Sequence, residues 1–396
     1  MQMNSSFDQR VERMEGACWL KDVFTPDETR AAGLLSYAGA EFEFPTCPAL
    51  RRGIAEAAAH GSFGYMLPRG KYLERVQWWM KHVRGYEIDP EWVVATHGTI
   101  FALATAIRLL SVPGDSIIIL TPGYNRYEQA ATRLGRGTVH VPLTEMNGCY
   151  QMDWTALEQA MSAPENRLLV LCNPNNPTGH IYRREELERI AGLSQKYGTA
   201  VFSDEIFAEI VFDGGQVTPY AAVAGKAALA ITCTSLGKAF SLTGVNHANV
   251  IIENDALRER YVTQRNADHY GSIDPMHCAA LTAAYTPEGK AWLDELCAYV
   301  WENYRILAGF IKKCLPEAVV TEPEGTYVVW IDYGRTGMSG EELQRRLIRE
   351  GCFAGDAGDE YYGRDTCMRY SLAVPRQELL RSLAYLEAVL DRAALE

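Results

Sequence analysis

Residues 167–179 read RLLVLCNPNNPTG, an apolar run from Leu168 to Cys172 that stops abruptly at a corner of asparagine, proline and glycine. A strand without polar alternation is buried on both faces, as in a mainly parallel sheet covered by helices on each side. Similar β-branched runs recur on either side. VVAT (93–96), SIIIL (116–120) and TVHVPL (138–143) precede it, and AVFSD (200–204), AITCTS (230–235) and NVII (249–252) follow. Together they predict a sheet of seven strands. Helical segments separate them: Ile100 to Leu110 carries an apolar face, and Arg184-Glu185-Glu186 opens a stretch ending at Gly198, a residue suited to a helix C-cap.

Beyond the sheet, Leu293, Leu296, Val300, Tyr304, Leu307 and Ile311 recur at three- and four-residue spacing, predicting a long helix from about Gly289 to Cys314 that bridges two domains. TYVVWIDY (326–333) then reads as a strand, 341–350 as a helix, CMRYSLA (367–373) as a strand and the last stretch as a helix. The expectation is an α/β fold: a large domain over 46–290 and a smaller α+β domain over 291–396, joined by an N-terminal arm, 1–45. A chain of 396 residues exceeds the usual size of one hydrophobic core, which agrees with two domains.

With 47% hydrophobic and 22% charged residues, the composition is globular rather than disordered. Lys and Arg number 38 against 50 Asp and Glu, a net charge of -12 that repels phosphate backbones and anionic lipid, so neither nucleic acid nor membrane is an expected partner. The ten cysteines, from Cys18 to Cys367, include no C-x-x-C pair and no metal-type spacing with the eight histidines; reduced thiols and no metal are expected. The N-terminal stretch is polar and no apolar run reaches the roughly 18 residues of a membrane span, so a cytoplasmic location is expected.

Open parallel sheets bind ligands beyond the C-terminal ends of their strands. After VVAT come His97-Gly98-Thr99-Ile100 and a helix, whose free N–H groups and dipole suit a phosphate, although an ordinary tight turn would read the same. After SIIIL, Tyr124, Arg126 and Tyr127 bring aromatic rings and a cation to the same rim. The NPNNPTG corner presents rigidly held amides. Asp204 ends AVFSD at the cleft, where a cation must offset its desolvation unless it is a capping or salt-bridged aspartate. Lys238 follows AITCTS in a stretch that is not a P-loop, because Thr232 stands where its first glycine belongs and Ala239 replaces its Ser/Thr; a partly desolvated lysine there is a Schiff-base former. Arg369 lies inside an apolar strand and needs an anionic partner, either a substrate carboxylate or an internal carboxylate. One cofactor uses the whole set: pyridoxal phosphate needs a Schiff-base lysine, a carboxylate on its ring nitrogen and a phosphate cradle.

In this order the motifs resemble those of the fold-type I pyridoxal-phosphate enzymes, the aspartate aminotransferase superfamily. HGSFGY (60–65), NGCYQMDWTALE (147–158), LLVLCNPNNPTG (168–179), FSDEIF (202–207), PEGTYVVWIDY (323–333) and MRYSLAVPR (368–376) look like its MalY/PatB branch of cystathionine and cysteine-conjugate β-lyases. The resemblance implies that Lys238 holds pyridoxal 5′-phosphate, Asp204 pairs with the ring nitrogen, Asn176 bonds the ring hydroxyl and Tyr124 stacks on the ring. It further implies that Gly98, Thr99, Ile100 and Ser235 hold the phosphate, with Tyr65 entering from a second copy in a homodimer. Arg369 would clamp the substrate carboxylate, beside Ala38-Gly39. The sequence departs from the branch at Gly39, where an aspartate is usual, and at Phe207, where the branch has histidine and many aminotransferases tyrosine; a hydrogen bond to the ring hydroxyl is thereby missing.

The expected reaction is β-elimination from an L-cysteine conjugate or cystathionine-like amino acid, giving thiol, pyruvate and ammonia, with the Lys238 amine removing the α-proton. Transamination is the alternative, as is a specialised biosynthetic reaction in which Arg126 or Asp268-His269-Tyr270 reads a distal group on a larger amino acid. A ligand sensor that merely retains the fold has no support while Lys238, Asp204, Asn176 and Arg369 are all present. A nicotinamide dehydrogenase would need the G-x-G-x-x-G that is absent.

Overall fold

The seven apolar runs form one sheet in the structure, a computed structural model that describes residues 5–12 and 20–393. Parts of the expected N-terminal arm, and Cys18, lie outside the described residues. In chain order the strands are β1 (Val93–Thr96), β2 (Ser116–Thr121) and β3 (Gly137–Pro142), a small ribbon of β4 (Thr144–Met146) and β5 (Cys149–Gln151), then β6 (Asn166–Cys172), β7 (Ala200–Asp204), β8 (Ala230–Thr234) and β9 (Ala248–Ile251). The large sheet runs β1-β9-β8-β7-β6-β2-β3. β9 alone runs opposite to the other six strands. Its connection from β8 carries just one four-residue helix, Leu236–Ala239, whereas a parallel return needs a full crossover.

Register is what places the chemistry. Cys172 pairs with Asp204, and Asp204 with Cys233, so β6, β7 and β8 end level. The asparagine corner, the aspartate and the lysine loop therefore emerge side by side.

The predicted bridging helix spans Pro287–Cys314, with Thr286 as its N-cap accepting from Gly289 N at 3.1 Å. The smaller sheet follows, with β10 (Val319–Val320), β11 (Val328–Asp332), β12 (Asp356–Ala357) and β13 (Cys367–Ser371). Its order is β10-β11-β13-β12, all antiparallel. The chain near its start joins this sheet: Tyr37 N donates to Ala354 O at 2.7 Å and Ser371 N to Tyr37 O at 2.8 Å.

The helix expected over 341–350 begins as an α-helix at Gly340–Leu343 but widens to π-type bonding over Gln344–Glu350. A wider turn rotates the face that follows it, and Gln344 and Ile348 both line the central cavity. The helices Pro48–His60 and Pro275–Ala284, unforeseen in the sequence, pack closely, because a Cβ at Gly53 would lie 2.7 Å from Ala283 Cβ. Among the described residues no helix is long and apolar enough to cross a membrane.

Candidate active site

A cavity of about 1350 Å³ opens at the C-terminal ends of the parallel strands, against the smaller sheet. Gly98, Thr99, Ile100, Tyr124, Arg126 and Asn176 line it from the large sheet, as do Asp204, Ser235 and Lys238. Ala38, Gly39 and Arg369 close it from the other side. Tyr65 is absent from this lining and is 99% exposed.

Asp204 is buried at the end of β7 with two donors: Tyr127 Oη to Oδ2 at 2.7 Å and Ile206 N to Oδ1 at 3.3 Å. Burial pushes its carboxyl up to about 6 despite these bonds. Lys238 Nζ donates to Ala40 O at 2.9 Å and lies 5.8 Å from the centre of the Phe207 ring. Burial, reinforced by the charge of Arg369, lowers its amine to about 8. Phe207, which supplies no polar atom, packs edge-on against Tyr327 at 5.4 Å.

The asparagine corner divides its amides by task. Asn175 Oδ1 accepts from Thr178 N and Oγ1, and Asn173 Oδ1 from Tyr182 N, so both shape the loop. Asn176 instead faces the smaller sheet, accepting from Arg369 Nη1 at 2.9 Å. At the opposite end, Gly98 caps the helix Thr99–Leu110 without a side-chain bond, leaving first-turn N–H groups for an anion. Ser235 caps Leu236–Ala239, accepting from Gly237 N at 3.0 Å and donating to His247 O at 2.6 Å. Serving a phosphate would require that hydroxyl to turn away from His247. A buried carboxylate, a partly desolvated amine and a helix terminus with free donors fit the ring nitrogen, aldehyde and phosphate of pyridoxal 5′-phosphate.

The segment Asp268-His269-Tyr270 does not line this cavity. Asp268 pairs with Arg108, and Tyr270 packs on His97 and Phe101, so the expectation that these residues read a distal substrate group is not met within this chain. Arg126 does line the cavity, exposed at its mouth and bonded to Gln129 Oε1 at 2.8 Å. The sequence reading missed Asp356 and Tyr361, which surround Arg369. β12 is two residues long, too short for any periodicity to reveal it.

Comparison with known proteins gives a consistent picture. The chain is 30% identical over 388 residues to cystathionine beta-lyase PatB of Bacillus subtilis, covering 98% of this chain and 100% of that protein. It superposes on cystalysin from Treponema denticola, a crystal structure containing pyridoxal 5′-phosphate, with a TM-score of 0.91 and 27% identity over 99% of this chain and 100% of that one. A PLP-bound C-S lyase from Staphylococcus hominis gives a TM-score of 0.87 at 26% identity, over 98% and 99% of the two chains. Because residues 35–386 match the family described as aminotransferase class I and II, the chain belongs to that family.

Proposed function

We propose that this protein is a pyridoxal 5′-phosphate-dependent carbon-sulfur β-lyase acting on an L-cysteine conjugate or cystathionine-like amino acid. The observation that carries the reading is the meeting of Asp204, Lys238 and the Asn176–Arg369 pair in one cavity, in a chain similar along nearly its whole length to a cystathionine beta-lyase. The bound cofactor supplies an electron sink that acidifies the substrate α-carbon. Lys238 would anchor the cofactor and afterwards take the α-proton, its lowered basicity keeping the amine competent near neutral pH. Asp204 would hold the proton on the ring nitrogen, and Tyr124 would lie against the ring. The Asn176 amide would hold the ring hydroxyl alone, since Phe207 offers no donor. Gly98, Thr99, Ile100 and Ser235 would cradle the phosphate.

Arg369 would grip the substrate carboxylate beside Ala38 and Gly39, with Arg126 meeting a distal group at the mouth. We also read the assembly as a homodimer in which Tyr65 enters the other copy's cavity and reaches both phosphate and substrate. Phe63, Tyr65 and Leu67 are all exposed on one short segment, an apolar surface that a second copy would cover. Nine described cysteines are unpaired, including exposed Cys149, which favours a reducing cytoplasm.

The test is release of 2-oxo acid from cystathionine and a panel of S-substituted cysteines, without any acceptor acid. Multiple turnovers of pyruvate with matching thiol are expected. Product that stops at one turnover, resuming only when a 2-oxo acid is added, would make the protein an aminotransferase instead.

A further inference from the structure

Asp356 and Arg369 are direct cross-strand partners in β12 and β13, a register that sets their side chains on one face. Asp356 Oδ2 accepts from Arg369 Nε at 3.0 Å and from Nη2 at 2.5 Å, while Asn176 Oδ1 takes an N–H of Nη1 at 2.9 Å. The Tyr361 ring covers the guanidinium, its centre 4.5 Å from Cζ. A guanidinium has five N–H donors, one on Nε and two on each terminal nitrogen. These contacts engage three, so one donor remains on each terminal nitrogen. A carboxylate accepts a pair of terminal guanidinium donors in bidentate fashion.

Asp356 is itself fixed. Both its oxygens lie 3.0 Å from Gly39 N, on the loop whose Ala40 carbonyl accepts from Lys238. The preceding residue allows the close approach of strands, since a Cβ at Gly355 would come within 2.6 Å of Arg369 O.

We propose that Asp356 is a positioning residue for substrate recognition. It locks the Nε edge of Arg369, so that the terminal edge is held ready for the α-carboxylate of an amino acid, and it ties this clamp to the Gly39 loop. The inference rests on reading the cavity as an amino-acid site, but not on what happens to the substrate's side chain. Without Asp356 the arginine keeps its charge and loses its alignment, which weakens a bidentate contact more than a simple charge attraction.

The experiment titrates the cofactor-loaded enzyme with L-alanine and with L-alaninamide, which lacks the carboxylate, following the cofactor's visible absorption. In Asp356→Ala, L-alanine should bind about ten-fold more weakly or worse, and L-alaninamide within about two-fold of the parent. Asp356→Asn keeps an oxygen for Nε and Nη2, and should restore L-alanine binding to within about three-fold. Unchanged alanine binding in Asp356→Ala, an asparagine variant as weak as the alanine one, or equal loss for both ligands would each overturn the proposal. Alanine has no leaving group, so these outcomes are independent of whether pyruvate is released from cysteine conjugates.

Discussion

Tyr127 donates its hydroxyl to Asp204 Oδ2 at 2.7 Å, tying the carboxylate at the end of β7 to the helix Arg126–Arg133 that follows β2. That bond favours the ionised carboxylate and opposes the burial that pushes it up to about 6. A hydrogen bond to a charged group contributes about 1.5–3 kcal/mol, and one pKa unit corresponds to about 1.4 kcal/mol. In Tyr127→Phe the cofactor-free protein should therefore keep the Asp204 proton to a pH about one unit higher or more, as read from the carboxyl infrared band. An unmoved midpoint would separate the phenol from the tuning of Asp204.

Lys238 is lowered to about 8 chiefly by burial. Covalent capture of pyridoxal 5′-phosphate needs the neutral amine, whose population rises as pH passes through this value and then saturates. Reconstitution of the cofactor-free protein, followed by the appearance of the visible band, should accelerate with pH and level off above about 8; a solvated lysine would carry the rise on towards about 10.4. Lys238→Ala should abolish both the band and turnover, and a variant keeping both would refute the assignment.

For Arg369→Ala we expect the cofactor to stay bound while KM rises about 100-fold, the scale of losing a buried bidentate charge pair. Steady-state kinetics alongside the absorption spectrum distinguish this from loss of cofactor at normal substrate affinity, which would contradict a carboxylate role. Arg126→Ala, at the exposed mouth, should alter KM only for substrates with an anionic distal group; identical constants for every substrate would remove it from the site.

Gly179 closes the asparagine corner at φ +72°, and a Cβ there would meet Pro323 Cβ at 2.7 Å and Gly325 O at 2.9 Å. Its carbonyl also accepts from Glu324 N and Gly325 N, so the corner and the lead-in to β11 are one unit. Gly179→Ala should lose about 2–4 kcal/mol from backbone strain and overpacking together. A clear fall in thermal midpoint is expected, where an unchanged one would mean that the two segments can part without loss.

Much of this site was legible along the chain because its parts sit at strand ends. Strand runs such as 167–172 and 200–204 mark themselves by unbroken hydrophobicity, so Asn176, Asp204 and Lys238 could be placed at the cleft before any register was known. The glycine and helix start at Gly98 were readable for a similar local reason, since free N–H groups follow from any helix terminus. Even the absence of a donor at Phe207 is a matter of residue type alone.

What the sequence could not determine are relations between segments far apart in the chain. Nothing in GDAGDEYYG singles out Asp356 from its acidic neighbours; its part is set by the two-residue pairing of β12 with β13 and by the approach of Gly39. The π-type turn at Gln344–Glu350 and the Tyr127–Asp204 bond are likewise products of packing. Local hydrophobic period and helix-terminus chemistry belong to short stretches and survive in the sequence, whereas the partner of a buried charge is selected only when tertiary folding removes water and leaves it one neighbour to bond.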